Sequence, residues 1–187
     1  MKKIMQMLLV LCLVLTGVQV VSASGEKTTA DKDFVLAGIH RLVIADPQYT
    51  PMKDGATKAD ISNMIYAMGE KARLQLIPKD FIAKNILHDT KVDINALDKK
   101  QADAAFQANV VNYADAYLVP TVVHNNQVVI FYDIYSAVDN KLVYTYQVVA
   151  DRTDPDTLAT YQELTKKFYR AFDKSVQKQL KDSEKAK

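Results

Sequence analysis

Apolar residues in the last third of the chain follow two different periods, and the change between them sets the fold class. Leu158, Tyr161, Leu164, Phe168, Phe172, Val176 and Leu180 recur every ~3.7 residues on average, the spacing of one helix face. Asp154-Pro155 offers a cap and a first-turn proline, so a long C-terminal helix is predicted from there. Its last turn, with Lys178 and Lys181, complements the helix dipole. Upstream, 116–124, 127–137 and 142–150 are rich in β-branched and aromatic residues and are separated by Asn125-Asn126 and Asp139-Asn140. No glycine follows Gly69, so these Asn and Asp residues must supply the positive φ of tight hairpin turns. A three-stranded antiparallel meander is predicted.

The first half reads as strands alternating with helices. Ile39 to Asp46 is a first strand that stops at Asp46-Pro47, and Pro47 to Pro51 is an extended loop. Thr57-x-x-Asp60 imitates a capping box, and Ile61, Met64, Ile65 and Met68 follow on one helical face, with Gly69 near the end. Leu74 to Ile77 is a short strand, and Pro78 at the first helical position opens a short helix from Lys79 to Leu87. A further helix runs from about Asp98 to Tyr113, with Ala102, Ala105, Phe106, Val110 and Tyr113 inward. The prediction is one α/β domain with a mixed sheet, β-α-β-α-β-β-β-α, taking 79–87 and 98–113 together, whose first strand lies parallel to one of the meander. Pro120 interrupts a strand that should be central, which calls for a bulge or an edge there.

The N-terminus changes the setting. Lys2 and Lys3 precede an apolar run from Ile4 to Leu15, and Val21-Ser22-Ala23 offers small residues for a signal peptidase. The run is shorter than the ~20 residues that span a bilayer, so residues 1–23 read as a cleaved signal peptide and the protein as periplasmic or secreted. The only cysteine, Cys12, lies inside that run after Leu11, which argues against a lipid anchor and leaves no disulfide to brace the exported chain. Residues 24–32 read as a flexible leader, 33–182 as the α/β domain and 183–187 as a tail.

Charge divides unevenly. Residues 166–187 hold eight basic and three acidic residues, whereas 24–165 hold 14 basic and 19 acidic. The acidic body excludes a nucleic-acid partner, and the basic end suggests at most a weak contact with an anionic envelope surface; such runs are more often the solvated side of a helix.

Two-residue turns at both Asn125-Asn126 and Asp139-Asn140 would fix the register of the meander. Phe131, Asp133 and Tyr135 would share a face with Tyr144 and Tyr146, with Tyr146 opposite Asp133. Val128, Ile130, Tyr132, Ile134, Val143 and Val149 would form the aliphatic face beneath the helices. An acid set among aromatics suits a ligand or a partner, so Phe131, Asp133, Tyr135, Tyr144 and Tyr146 are the candidate binding residues. The plainer reading lays the C-terminal helix over this same face and gives Asp133 a tyrosine hydroxyl to bond.

Catalytic signatures are missing from the sequence. His40, His88 and His124 lack metal-ligand spacing, no serine stands in a G-x-S-x-G elbow, and no glycine-rich loop exists to hold a phosphate or cofactor. With 22 acidic residues, no carboxylate pair stands out from the many available.

The export signal, Arg41-Leu42-Val43-Ile44-Ala45, Leu76-Ile77-Pro78 and Tyr113-Ala114-Asp115-Ala116-Tyr117-Leu118-Val119 leading into a meander together resemble small bacterial envelope α/β domains. These are the TolB N-terminal domain and the CsgG-like and LpoB-like proteins. The likeness covers most of 39–150 and is one of pattern. Pro120-Thr121 stands where those relatives commonly carry Gly-Thr, and many of them are lipidated. The resemblance implies a non-catalytic envelope adaptor whose partner is a protein or another envelope component, and it transfers no functional residues. A carboxylate-dependent envelope hydrolase and a peripheral protein held by its basic C-terminal helix are the competing readings.

Overall fold

The computed structural model describes residues 21–23, 25–50, 56–70, 72–124, 127–155 and 157–185. Seven strands, β1 Val21–Ala23, β2 Glu26–Ala30, β3 Arg41–Ile44, β4 Gln75–Pro78, β5 Ala116–His124, β6 Val128–Ser136 and β7 Leu142–Val149, form one open sheet. Its order is β1-β2-β7-β6-β5-β3-β4. β3 runs parallel to β4 and to β5, and the other pairs are antiparallel. Four helices complete the domain: α1 Lys58–Gly69, α2 Lys79–Thr90, α3 Lys99–Asn109 and α4 Leu158–Lys185.

The connections decide which face each helix covers. From β3 the chain passes through α1 outward to β4, then returns through α2 and α3 past β3 to β5. Right-handed crossovers in opposite directions put α1 on one face and α2 with α3 on the other. Ile61, Met64 and Ile65 of α1 accordingly share a core with Leu42, Ile44, Leu118 and the α4 stripe. Ile82, Ile86 and Phe106 of α2 and α3 pack on Val43, Ile77 and Tyr117 across the sheet.

Helix starts follow their caps. Thr57 and Asp60 form the reciprocal capping box, with the Asp60 N–H donating to Thr57 Oγ1 at 3.1 Å and the Thr57 N–H to Asp60 Oδ2 at 2.8 Å. Asp98 caps α3 by accepting from the Gln101 N–H at 2.9 Å. Pro78 is the N-cap of α2 rather than its first residue, and that helix runs on to Thr90, where Lys91 takes a left-handed φ of 61°. α3 stops at Asn109 and 110–112 tighten into a 3₁₀ turn. α4 begins at Leu158, later than Asp154-Pro155 suggests; the Thr157 N–H and Thr160 Oγ1 both donate to the Pro155 carbonyl, closing a turn before the helix. Tyr161, Leu164, Phe168 and Phe172 are buried as the stripe requires, while Leu158 and Leu180 at its ends are exposed.

Three further stretches differ from the sequence reading: of the residues read as a signal peptide, 1–20 lie outside the described residues and Val21–Ala23 pair with Glu26–Thr28 as β1. Residues 26–30, within the stretch read as a flexible leader, form β2 and pair with β7 from Glu26↔Val148 to Ala30↔Tyr144. Glu-Lys-Thr-Thr-Ala has no apolar alternation because β2 lies near the sheet edge, where little is buried on either side. Pro120 needs neither a bulge nor a sheet edge along the whole strand. β3 pairs with β5 only as far as Leu118, so the missing N–H falls where the ladder has already ended. The Gln48 N–H instead donates to the Pro120 carbonyl at 2.8 Å, and the Val122 N–H to the Gln48 carbonyl at 3.0 Å.

Candidate functional site

β6 alternates without interruption: Val128, Ile130, Tyr132, Ile134 and Ser136 are buried, and Val129, Phe131, Asp133 and Tyr135 are half-buried. The buried set lies beneath α4, where Tyr132 stacks on Phe168 with ring centroids 4.4 Å apart and bonds Thr165 through its hydroxyl at 2.8 Å. The half-buried set faces the other way. The core formed by α2 and α3 reaches β6 there only at Tyr135, leaving an open strip of sheet.

Neither hairpin closes with a two-residue turn, and this moves two of the candidate residues. His124 pairs with Val128, so three residues separate the strands, and Asn125 and Asn126 lie outside the described residues. At the second hairpin the Ser136 N–H donates to the Lys141 carbonyl and the Asn140 N–H to the Ser136 carbonyl, closing a four-residue loop. Asn140 takes φ 57°, as its side chain allows. Leu142 then faces Tyr135 while Tyr144 faces Ile134, which makes Val143 the extra residue of a bulge. The Val143 carbonyl is taken by the Asp31 N–H at 2.9 Å. Beyond the bulge the register is one residue away from the expected one, Tyr132↔Tyr146 and Asp133↔Thr145, and such a slip exchanges the faces of β7.

Tyr144 and Tyr146 therefore leave the candidate site, and Val149 leaves the aliphatic face for the open one. Tyr144 is 1% exposed and meets Phe172 edge-on at 5.2 Å. Tyr146 is equally buried and donates its hydroxyl to Glu26 Oε2 at 2.7 Å. α4 covers these two tyrosines, while Phe131, Asp133 and Tyr135 lie on the other face.

On the open strip, Asp133 lies between Val119 of β5 and Thr145 of β7. Thr145 Oγ1, not a tyrosine, donates to Asp133 Oδ1 at 2.8 Å. Burial pushes the Asp133 carboxyl above its ordinary pKa, and the Thr145 bond offsets only part of that. Burial, with the Asp133 charge and Tyr117 nearby, raises the Tyr135 phenol to about 12. Tyr135 stacks on Tyr117 at 5.3 Å and 12°, and Tyr117 meets Phe106 of α3 edge-on at 5.4 Å. Tyr117 donates its hydroxyl to Asn140 Oδ1 at 3.2 Å.

These rings wall one end of a groove of about 930 Å³ between α3, the 45–50 loop and the sheet. Gln48, Gln107 and Asn140 bring amides to it, and Lys58, Lys79 and Lys99 bring cations, with Lys79 paired to Asp46. Sequence reading does not find this groove because its walls come from segments far apart in the chain. The one local signal is the proline-bounded stretch 47–51 read as a loop, of which residue 51 lies outside the described residues. The histidines are dispersed: His124 Nε2 bonds the Tyr161 hydroxyl at 3.0 Å and His88 Nδ1 bonds Asp89 at 2.7 Å. Among the described residues no His, Cys, Asp and Glu cluster is placed to hold a metal ion, and no helix is long and apolar enough to cross a membrane.

No family model and no curated protein matches the chain. Solved structures with a similar fold include the LpoB C-terminal domain from Escherichia coli, at 11% identity and a TM-score of 0.45 over 79% of this chain and 95% of that one. The PelC dodecamer from Paraburkholderia phytofirmans is similar at 12% identity and 0.42, covering 76% and 91%. Lipoprotein GNA1162 from Neisseria meningitidis gives 13% and 0.39, covering 58% and 78%. LpoB belongs to the group that the sequence pattern resembles.

Proposed function

We propose that this chain is an exported, non-catalytic domain of the bacterial envelope that binds a protein partner through the open strip of its sheet. The observation that carries the reading is that Phe131 and Asp133 stay half-buried on a strip that the helices leave uncovered, with Tyr135 at its border, where the core formed by α2 and α3 ends. Phe131 and Tyr135 give stiff apolar contact area, the tyrosine hydroxyl adds orientation, and the neighbouring groove extends the surface. The amino-terminal signal pattern supports export. An acidic body supports a protein rather than a nucleic acid as partner.

Site-specific photocrosslinking in the cells that make the protein tests this. A benzophenone side chain at Phe131 or at Tyr135 should yield one discrete adduct of higher mass, and the same group at exposed Lys174 on α4 should not. Adducts from Lys174 with none from Phe131 or Tyr135 would refute the assignment of the face.

A further inference from the structure

The chemistry of the partner follows from Asp133, the one charged group among the described residues that β5, β6 and β7 place on the strip. Asp133 has a single hydrogen bond, from Thr145 to Oδ1, and no ion pair among the described residues. Its neighbours across the ladder are Val119 and Thr145, and those along the strand are Phe131 and Tyr135. The cation that the register puts on the same face, Lys27 of β2 opposite Gln147, is two strands away and exposed and makes no ion pair with it, and Oδ2 has no partner among the described residues.

A partner that covers this strip must remove the remaining water from that carboxylate. An apolar partner would do so without compensation, and an unpaired buried charge costs several kcal/mol. A partner presenting an ammonium or guanidinium group meets the free oxygen with a charge-assisted bond and turns the same acid into a selector. The nine residues of β6 span ~30 Å and three strands span ~14 Å, a strip of about 400 Å². A stable protein–protein interface buries ~800 Å² per partner. The strip alone is therefore too small for sheet-on-sheet pairing of two copies, and it suits one extended or helical segment that also enters the groove. Resting on the reading of this face as the contact surface, we infer that it takes a partner segment with one Lys or Arg flanked by apolar residues, the cation seated on Asp133 Oδ2.

A phage-displayed library of random 12-residue peptides, selected on the full chain, tests the inference. Peptides enriched on the wild type should carry a Lys or Arg among apolar residues. Phe131→Ser should abolish their binding, and Asp133→Asn, which keeps an oxygen for Thr145, should weaken it at least about tenfold. Replacing the peptide cation by norleucine should cost the same factor on the wild type and almost nothing on Asp133→Asn. Peptides that depend on Phe131 but lack a basic residue, or bind Asp133→Asn equally well, would overturn the cation assignment and leave the face standing. A selection yielding no peptide that depends on Phe131 would overturn both.

Discussion

Truncating Tyr144 and Tyr135 in parallel, each with and without Phe172, measures the register of the last hairpin. Both belong to the same aromatic set if the turn at Asp139-Asn140 has two residues; with the bulge at Val143 they lie on opposite faces, and only Tyr144 meets Phe172. Tyr144 is 1% exposed. A tyrosine hides ~150 Å² or more, worth ~4 kcal/mol at ~25 cal/mol per Å², and its edge-on contact with Phe172 adds ~1 kcal/mol. One contribution runs the other way. The Tyr144 hydroxyl is buried without a hydrogen bond; Thr28 and Ser175 are near it, but Ser175 donates to the Ala171 carbonyl instead. Removing that hydroxyl returns ~1–3 kcal/mol. Tyr144→Ala should therefore cost ~3 kcal/mol, and Tyr144→Phe should be neutral or stabilising. Tyr135→Ala gives up roughly two-thirds of such an area, ~2.5 kcal/mol, and its stack on Tyr117, ~1 kcal/mol, so the single losses come out alike. What separates the positions is Phe172: in a double-mutant cycle with Phe172→Ala, Tyr144→Ala should couple by ~1 kcal/mol and Tyr135→Ala should not. Urea unfolding followed by circular dichroism reads each value, with the denaturant slope unchanged if unfolding stays two-state. No coupling of Tyr144 to Phe172, or equal coupling at the two positions, would refute the register and with it the placing of Tyr144 beneath α4.

Other positions give further tests. At Gly69 a Cβ would collide with the Leu76 side chain and the Tyr169 ring, so Gly69→Ala should lower stability by ~1–3 kcal/mol in thermal unfolding, despite alanine's better helix propensity. Asp115 accepts the His40 and Arg41 N–H groups and the Arg41 guanidinium. Burial tends to raise its pKa, but those bonds together outweigh it and lower it. Its contribution to stability is complete above the unfolded carboxyl value and lost as pH falls through the folded one, so Asp115→Ala should cost ~2–3 kcal/mol at pH 7 and much less in acid. Asp133 has the opposite sign, because burial raises its pKa. The folded state then holds the proton more tightly and loses stability as pH rises from the unfolded value through the raised folded one. Asp133→Asn should thus have a higher Tm than the wild type at neutral pH, and the gap should close by about pH 3. Intact-mass measurement of the exported protein should give a chain that begins at Ser24 and carries no acyl group.

What the sequence makes legible is what is encoded locally. Thr57 and Asp60 are three residues apart and close a capping box on their own, and the Phe168–Phe172 stripe needs only the helical period to be recognised. The parallel pairing of β3 with β5 follows from the alternation of strands and helices with no further information. Register is different, because loop length depends on where the flanking strands gain most by pairing. Asn140 has the expected left-handed backbone, but as the last residue of a four-residue loop. The extra residue at Val143 has no turn chemistry to announce it; its side chain is buried in the core and its carbonyl is matched by Asp31, more than a hundred positions earlier in the chain. The candidate site fared accordingly. β6 needs only its own alternation to place Phe131, Asp133 and Tyr135 together, whereas Tyr144 and Tyr146 depend on a pairing that local sequence does not determine.

The bulge at Val143 also gives the folding landscape a competing basin. Without it, a tight turn at Asp139-Asn140 pairs Asp133 with Tyr146 and Tyr135 with Tyr144, a hairpin with its own aromatic ladder and a favourable local turn. What selects the native arrangement is non-local: it puts Tyr144, Tyr146 and Val148 under α4, and the slipped one would offer that helix Thr145 and Gln147. The interaction that distinguishes the two registers is therefore the docking of α4, a contact of high sequence separation. A peptide of residues 127–150 freed from α4 should populate both registers, whereas deleting Val143 from the whole chain removes only the extra residue and should leave Tyr144 opposite Ile134, with Phe168 and Phe172 keeping their ring partners.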